Sequence, residues 1–203
     1  MHLLAILFVF LLSPGLSHAI KRAQLVKDFS FENGTNNIYW TQRNGFKMNA
    51  DAGIGTTSNP APYQGKYCAF ANIYPDNNLN SQIYQVGQNI TFPKGGNSTL
   101  SFYYNIPYPI NKTQNTHSWV NVLLGSVGLV NKIIKICFDI QFTGNLATNG
   151  WTFKTLDVSS FNNDQVYYLR NELKLVKDFL NVTVKAAMAL DRVRIGKCSH
   201  DSI

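Results

Sequence analysis

The side chains best suited to chemistry in this 203-residue chain are rings, amides and carboxylates on runs that alternate in polarity. In KIIKICFDIQF (132–142), Ile134, Ile136, Phe138, Ile140 and Phe142 point one way, and Lys135, Cys137, Asp139 and Gln141 the other. In STLSFYYNI, Leu100, Phe102 and Tyr104 share a face, with Ser101, Tyr103 and Asn105 opposite. SWVNVLL turns Val120, Val122 and Leu124 inward and Trp119, Asn121 and Leu123 outward. On neighbouring strands, Tyr103, Asn105, Trp119, Asn121, Asp139 and Gln141 would make one polar-aromatic outer face. Flat rings stack on the apolar C–H faces of a pyranose, while amides and carboxylates read its hydroxyls. The pattern therefore predicts a carbohydrate-binding face, with Trp151 and Tyr108 at its rim. An ordinary solvated sheet face is the plain alternative.

Catalysis has less to work with. Glycoside hydrolysis needs two facing carboxylates about 5–10 Å apart; Asp139 and Glu172 could be placed so only by assertion, and most of the few acids sit in turns. There is no nucleophile elbow, no histidine in a triad-like context and no phosphate-cradling glycine motif. A non-enzymatic protein is expected. One further acid poses a question of its own. Glu32 lies in DFSFENGTNNIYWT (28–41), among Phe29, Phe31 and Trp40. So apolar a run reads as a buried strand, where a lone carboxylate is costly unless paired.

The elements that must position these residues read as strands. Runs rich in β-branched and aromatic residues cover 65–74, 81–92, 98–108, 118–127, 132–142, 150–161, 172–179 and 181–196. Turn chemistry separates them in PKGGN (93–97), PYPINKTQN (107–115) and TGNLATNG (143–150). The one plausible helical turn lies in SSFNNDQVYYLRNEL (159–173). Strands without a helical period predict an all-β antiparallel sandwich in a single domain.

The ends of the chain add a resemblance. DFSFENG with Tyr39-Trp40, then GKYCAF, IYQ, LSFYY and finally ALDRVRIG stand in a telling order. The series resembles the galactose-binding-like jelly roll of many carbohydrate-binding modules and, more loosely, MAM domains, whose early paired cysteines are missing here. The resemblance covers nearly the whole mature chain and implies a jelly-roll β-sandwich over residues 20–203. It also implies that Glu32 and Asp191 help hold a structural Ca²⁺ where the first and last strands meet, with backbone carbonyls near Gly65 and Lys66 completing the shell. Such an ion wants six to eight oxygens. One departure matters: Arg192 follows Asp191 where family members often carry a second aspartate, and a guanidinium could replace the ion with an ion pair. Trp40 matches an early tryptophan that packs in the core.

The remaining signals concern location and partners. Residues 1–19, MHLLAILFVFLLSPGLSHA, read as a cleaved secretory signal peptide, with small residues at Ser17 and Ala19. No later segment is apolar enough to span a membrane. Five sequons, at Asn33, Asn89, Asn97, Asn111 and Asn181, agree with a secreted, extracellular glycoprotein. Cys68, Cys137 and Cys198 make an odd count, so one disulfide and one buried thiol are expected, with all three pairings open. Eighteen Lys and Arg against eleven Asp and Glu give a net charge of +7, which favours acidic partners, acidic glycans among them. Nucleic acid fits poorly, because basic residues do not interleave with aromatics in a known module. The expectation is a secreted lectin-like module whose partners are glycans. An adhesion or structural protein acting through protein contacts comes next, and a small hydrolase or lyase last.

Overall fold

A computed structural model describes residues 23–45, 52–57, 60–73, 81–107, 119–127, 133–141, 147–176 and 186–198. The expected signal peptide, Tyr108, Asn111 and Asn181 lie outside the described residues, as do the side chains of Trp119, Asp139 and Gln141.

Two antiparallel sheets face each other. The first contains β1 (Ala23–Gln24), β3 (Ala52–Gly55), β4 (Cys68–Ile73), β6 (Asn97–Asn105), β9 (Thr152–Asp157) and β11 (Ala186–Cys198), numbered in chain order. Its order is β3-β4-β11-β6-β9, with β1 pairing the last residues of β11. The second contains β2 (Thr41–Gly45), β5 (Ser81–Thr91), β7 (Trp119–Ser126), β8 (Ile133–Gln141) and β10 (Val166–Val176), in the order β2-β5-β10-β7-β8. Among the described residues the only helical elements are 3-10 turns of three residues each. The all-β sandwich predicted from alternation is the fold observed.

The core fills the space between the sheets. Tyr84, Val86, Ile90, Val120, Val122, Leu124, Leu169 and Leu173 pack from the five-stranded side. Leu100, Phe102, Met188, Leu190, Val193 and Ile195 meet them from the other side. Removing each such side chain from water contributes roughly 1.5–3 kcal/mol. Asn171 interrupts this layer, wholly buried with neither side-chain polar atom paired among the described residues.

Three local expectations are corrected. The segment with the suspected helical turn holds a 3-10 turn at Ser159–Phe161 and then strand β10, paired on both sides by β5 and β7. Residues 28–40 form turns rather than a strand, with Asp28 and Phe31 at positive φ. Phe31 and Trp40 are buried there, rings 5.0 Å apart, whereas Glu32 is exposed, so the burial penalty never arises. In β8 the alternation breaks: Val122 pairs Phe138 but Leu123 pairs Ile136, so the register slips at Cys137. Cys68 is a free buried thiol, as expected of one of the three cysteines, its pKa pushed far up by burial and then by the charges of Asp191 and Glu32.

Candidate functional site

Strand pairing splits the predicted face in two. Tyr103 and Asn105 stand on β6 in the first sheet, whereas Trp119, Asn121, Asp139 and Gln141 stand on β7 and β8 in the second. The chain crosses between sheets after β6, and alternation within a strand carries no signal of that crossing. Asn105 is also removed as a ligand group: it is buried and accepts a hydrogen bond from Thr148 Oγ1 at 3.2 Å. Trp151 packs on the loop before β4, donating from Nε1 to the Ala61 carbonyl at 3.0 Å.

The four residues of the second sheet do share register. Trp119 pairs Gln141, and Asn121 pairs Asp139. Antiparallel partners lie on one face, so Asn121 extends into a row that crosses the whole sheet: Arg43, Gln85, Glu172, Asn121 and Asp139. With strands about 4.8 Å apart, the row spans about 19 Å. Next to it lies the row Ile83, Lys174, Trp119 and Gln141.

Side chains in the middle of this face are held in place. Glu172, buried to 8 % exposure, accepts from Gln85 Nε2 at 2.5 Å and lies 3.9 Å from Arg170 Nε. Lys174 is half-buried, and its pKa is lowered by burial against the pull of Glu172. A ring joins the same face. The far end of Tyr168 lies over Gly87, where a Cβ would come within 2.6 Å of its Cζ and Oη. Tyr168 is hydrogen-bonded to Thr41; burial raises its pKa, and the charges of Arg43 and Arg170 oppose that rise. Sequence reasoning missed Tyr168 and Arg43. The available signal was Gly87, a lone glycine inside a strand, which marks close approach of another group.

Glu32 and Asp191 meet at one loop, as the resemblance implied. Glu32 accepts from the backbone N–H of Lys66 with both oxygens at 3.1 Å and from that of Tyr67 at 3.3 Å. Gly65, at φ +85°, leaves no room for a Cβ against that carboxylate. Asp191, fully buried, accepts from the N–H of Tyr63 at 3.1 Å, of Gln64 at 3.4 Å and of Arg192 at 2.6 Å. Burial raises its pKa to about 7, with the three N–H bonds and the Arg192 charge pulling the other way. Arg192 sends its Nη1 to Gln64 Oε1 instead of closing an ion pair. Both carboxylates accept N–H bonds from the 63–67 loop. Among the described residues no third Asp, Glu, His or Cys joins them.

No family model matches the chain, and no curated protein does. Solved structures do. TmCBM61, in complex with β-1,4-galactotriose, aligns at a TM-score of 0.57 and 12% identity over 86% of this chain and 99% of its own. The K1 cleaved adhesin domain of Lys-gingipain from Porphyromonas gingivalis W83 aligns at 0.53 and 15%, over 82% and 94%. A cyclase from Fischerella sp. TAU aligns at 0.50 and 14%, over 87% and 97%. The chain has the jelly-roll β-sandwich fold of the carbohydrate-binding modules. At such identities the likeness speaks to fold alone.

Proposed function

We propose that this protein binds carbohydrate without catalysis, through the outer face of the five-stranded sheet. The observation that carries the reading is the row from Arg43 through Gln85, Glu172 and Asn121 to Asp139, bordered by the Tyr168 ring. Amides and a fixed carboxylate in register suit a chain of hydroxyls, and a ring held over a glycine suits a sugar face. The fold shared with TmCBM61, solved with a galactotriose, supports the class of ligand. Calorimetric titration with a panel of neutral oligosaccharides, β-1,4-galactotriose included, tests it. Binding that weakens in Asn121→Ala is expected, and no heat with any sugar would refute it.

Secretion and N-glycosylation belong to the same proposal. Asn33 and Asn97 are exposed, as acceptor sites must be, whereas Asn89, also exposed, pairs Tyr168 on the binding face and is taken to be unoccupied there; peptide mapping by mass spectrometry of the secreted protein tests all three. The joint at Glu32 and Asp191 is proposed to be closed by backbone hydrogen bonds; a melting temperature raised by calcium and lowered by a chelator would instead restore the metal.

A hydrolytic reading draws on one fact. Glu172 and Asp139 occupy the same row, two strands apart, about 9–10 Å between backbones. The Glu172 carboxylate, however, is taken up by Gln85 and Arg170. New reducing ends on prolonged incubation with the bound sugar, lost in Glu172→Gln, would favour this reading over pure binding.

A further inference from the structure

The opposite face of the sandwich carries a second constellation. A groove of about 620 Å³ runs along the outer side of the six-stranded sheet, over β6, β9 and β11. Arg192 and Arg194 line it together with the hydroxyls of Thr99, Ser101 and Thr155. At one end stand rings: Tyr103 stacks on Tyr63 at 3.7 Å and meets Phe153 at 4.9 Å, and Phe153 is 53 % exposed.

A bulge puts both arginines there. Asp191 pairs Tyr103 and Arg194 pairs Ser101, so Arg192 and Val193 together oppose Phe102. Regular alternation carried on from Asp191, whose partner Tyr103 faces the groove, would send Arg192 and Arg194 inward and Val193 outward. Instead Val193 is buried in the core, while Arg192 and Arg194 both line the groove. Such re-aiming of side chains is what a bulge does. Arg192 adopts φ +52°, a conformation that L-residues other than Gly and Asn rarely take.

The guanidiniums are placed but not neutralised. Arg194 lies 4.0 Å over the Phe29 ring and Arg192 5.7 Å from it. Neither closes an ion pair with a described residue, and the Nε of each is buried without a hydrogen-bond partner among those residues. The pKa of Arg194 is lowered, by burial first and then by the neighbouring Arg192 charge. Two acids are near. Asp191 lies buried with its oxygens taken by backbone N–H groups, and Asp157 lies past the far end of the groove, bonded to Ser159. Two fixed cations, three hydroxyls and exposed rings in one groove complement an anionic group carried on a sugar.

We propose that this groove is a second binding site, for the sulfate or carboxylate groups of an acidic polysaccharide. It lies on the other sheet from the face proposed above and does not rest on that reading. Gly196 is the hinge of the test: it lines the groove, and a Cβ built on it meets nothing within 4 Å, so a side chain there fills the groove without disturbing the fold or the charge.

The experiment titrates the secreted protein with a heparin oligosaccharide, with its fully desulfated counterpart and with a neutral galactose oligosaccharide. The first should bind with an affinity that falls steeply with salt, and the second far more weakly. Arg194→Gln and Arg192→Asn, the latter a residue that accepts positive φ, should each weaken heparin about tenfold or more. Gly196→Val should weaken it comparably with net charge unchanged. All three should keep the wild-type thermal transition and the wild-type response to the neutral sugar. Heparin binding that survives Gly196→Val would mean that the overall +7 charge alone is responsible, and the proposal falls. It falls equally if the desulfated chain binds as well, if heparin does not bind, or if heparin binding is lost on Tyr168→Ala in the other sheet.

Discussion

On the five-stranded face, Glu172 is fixed between Gln85 and Arg170, and Tyr168 is pinned across Gly87 to Thr41. On the six-stranded face, Arg192 and Arg194 share a groove in which no described carboxylate closes an ion pair with either. The two surfaces are built by the same device, alternate residues on antiparallel strands, yet they arrive at different electrostatics. Where a charge meets its partner in the adjacent register position, the surface presents hydrogen-bonding groups of settled geometry. Where a bulge turns two cations outward together, the surface keeps an unmet demand for negative charge. The difference separates ligand classes: a neutral hydroxyl-rich chain for the first face, an acidic one for the second.

The comparison can be pressed at several points. The largest expected effect is Tyr168→Ala, which removes the ring from the five-stranded face; affinity for a neutral oligosaccharide should fall more than about tenfold by calorimetry, as for a central aromatic contact. Heparin binding should be untouched by it. Gly87→Ala comes next. Its Cβ would stand 2.6 Å from the Leu169 carbonyl as well as from Tyr168, so backbone must move, costing roughly 1–3 kcal/mol in chemical denaturation and loosening the sugar site with it.

The third concerns pH. Burial raises the Asp191 carboxyl to about 7 from its ordinary value of 3.8, so between those values the folded chain holds a proton that the unfolded chain gives up. The resulting stability is complete below about pH 4 and is lost as pH rises towards 7, by up to about 1.4 kcal/mol per pH unit. Asp191→Asn should flatten that slope in melting curves, and an unaltered slope would assign it to other groups. The smallest effect is Phe153→Ala, a change at an exposed position. Stability should move by no more than about 0.5 kcal/mol, while the aromatic end of the arginine groove is removed.

Much of the architecture was written in local alternation. The strands at 68–73, 81–91, 97–105, 119–126, 133–141 and 186–198 follow runs of β-branched and aromatic residues. Strand 166–176 was obscured because Leu169 and Leu173 stand four apart, a helical spacing. Only the pairing with β5 and β7 decides it, and pairing is not local. The candidate site was readable as a face on each strand but not as a surface. Tyr103 and Asn121 have equivalent sequence patterns and end on opposite sides of the molecule, because sheet membership depends on where the chain crosses over. The arginine groove was hidden for a different reason: alternation carried on from Leu190 and Asp191 sends Arg192 and Arg194 inward, alternation read back from Val193 and Ile195 sends them outward, and the bulge that decides it is seen only in the register between β11 and β6.

The most direct test of the central claim is a glycan array probed with the wild-type protein beside Tyr168→Ala and Arg194→Gln, all three with matched melting curves. The account predicts that neutral oligosaccharide spots disappear with Tyr168→Ala and persist with Arg194→Gln. Neutral binding that survives Tyr168→Ala, or an array with no neutral glycan bound by the wild type, would contradict it.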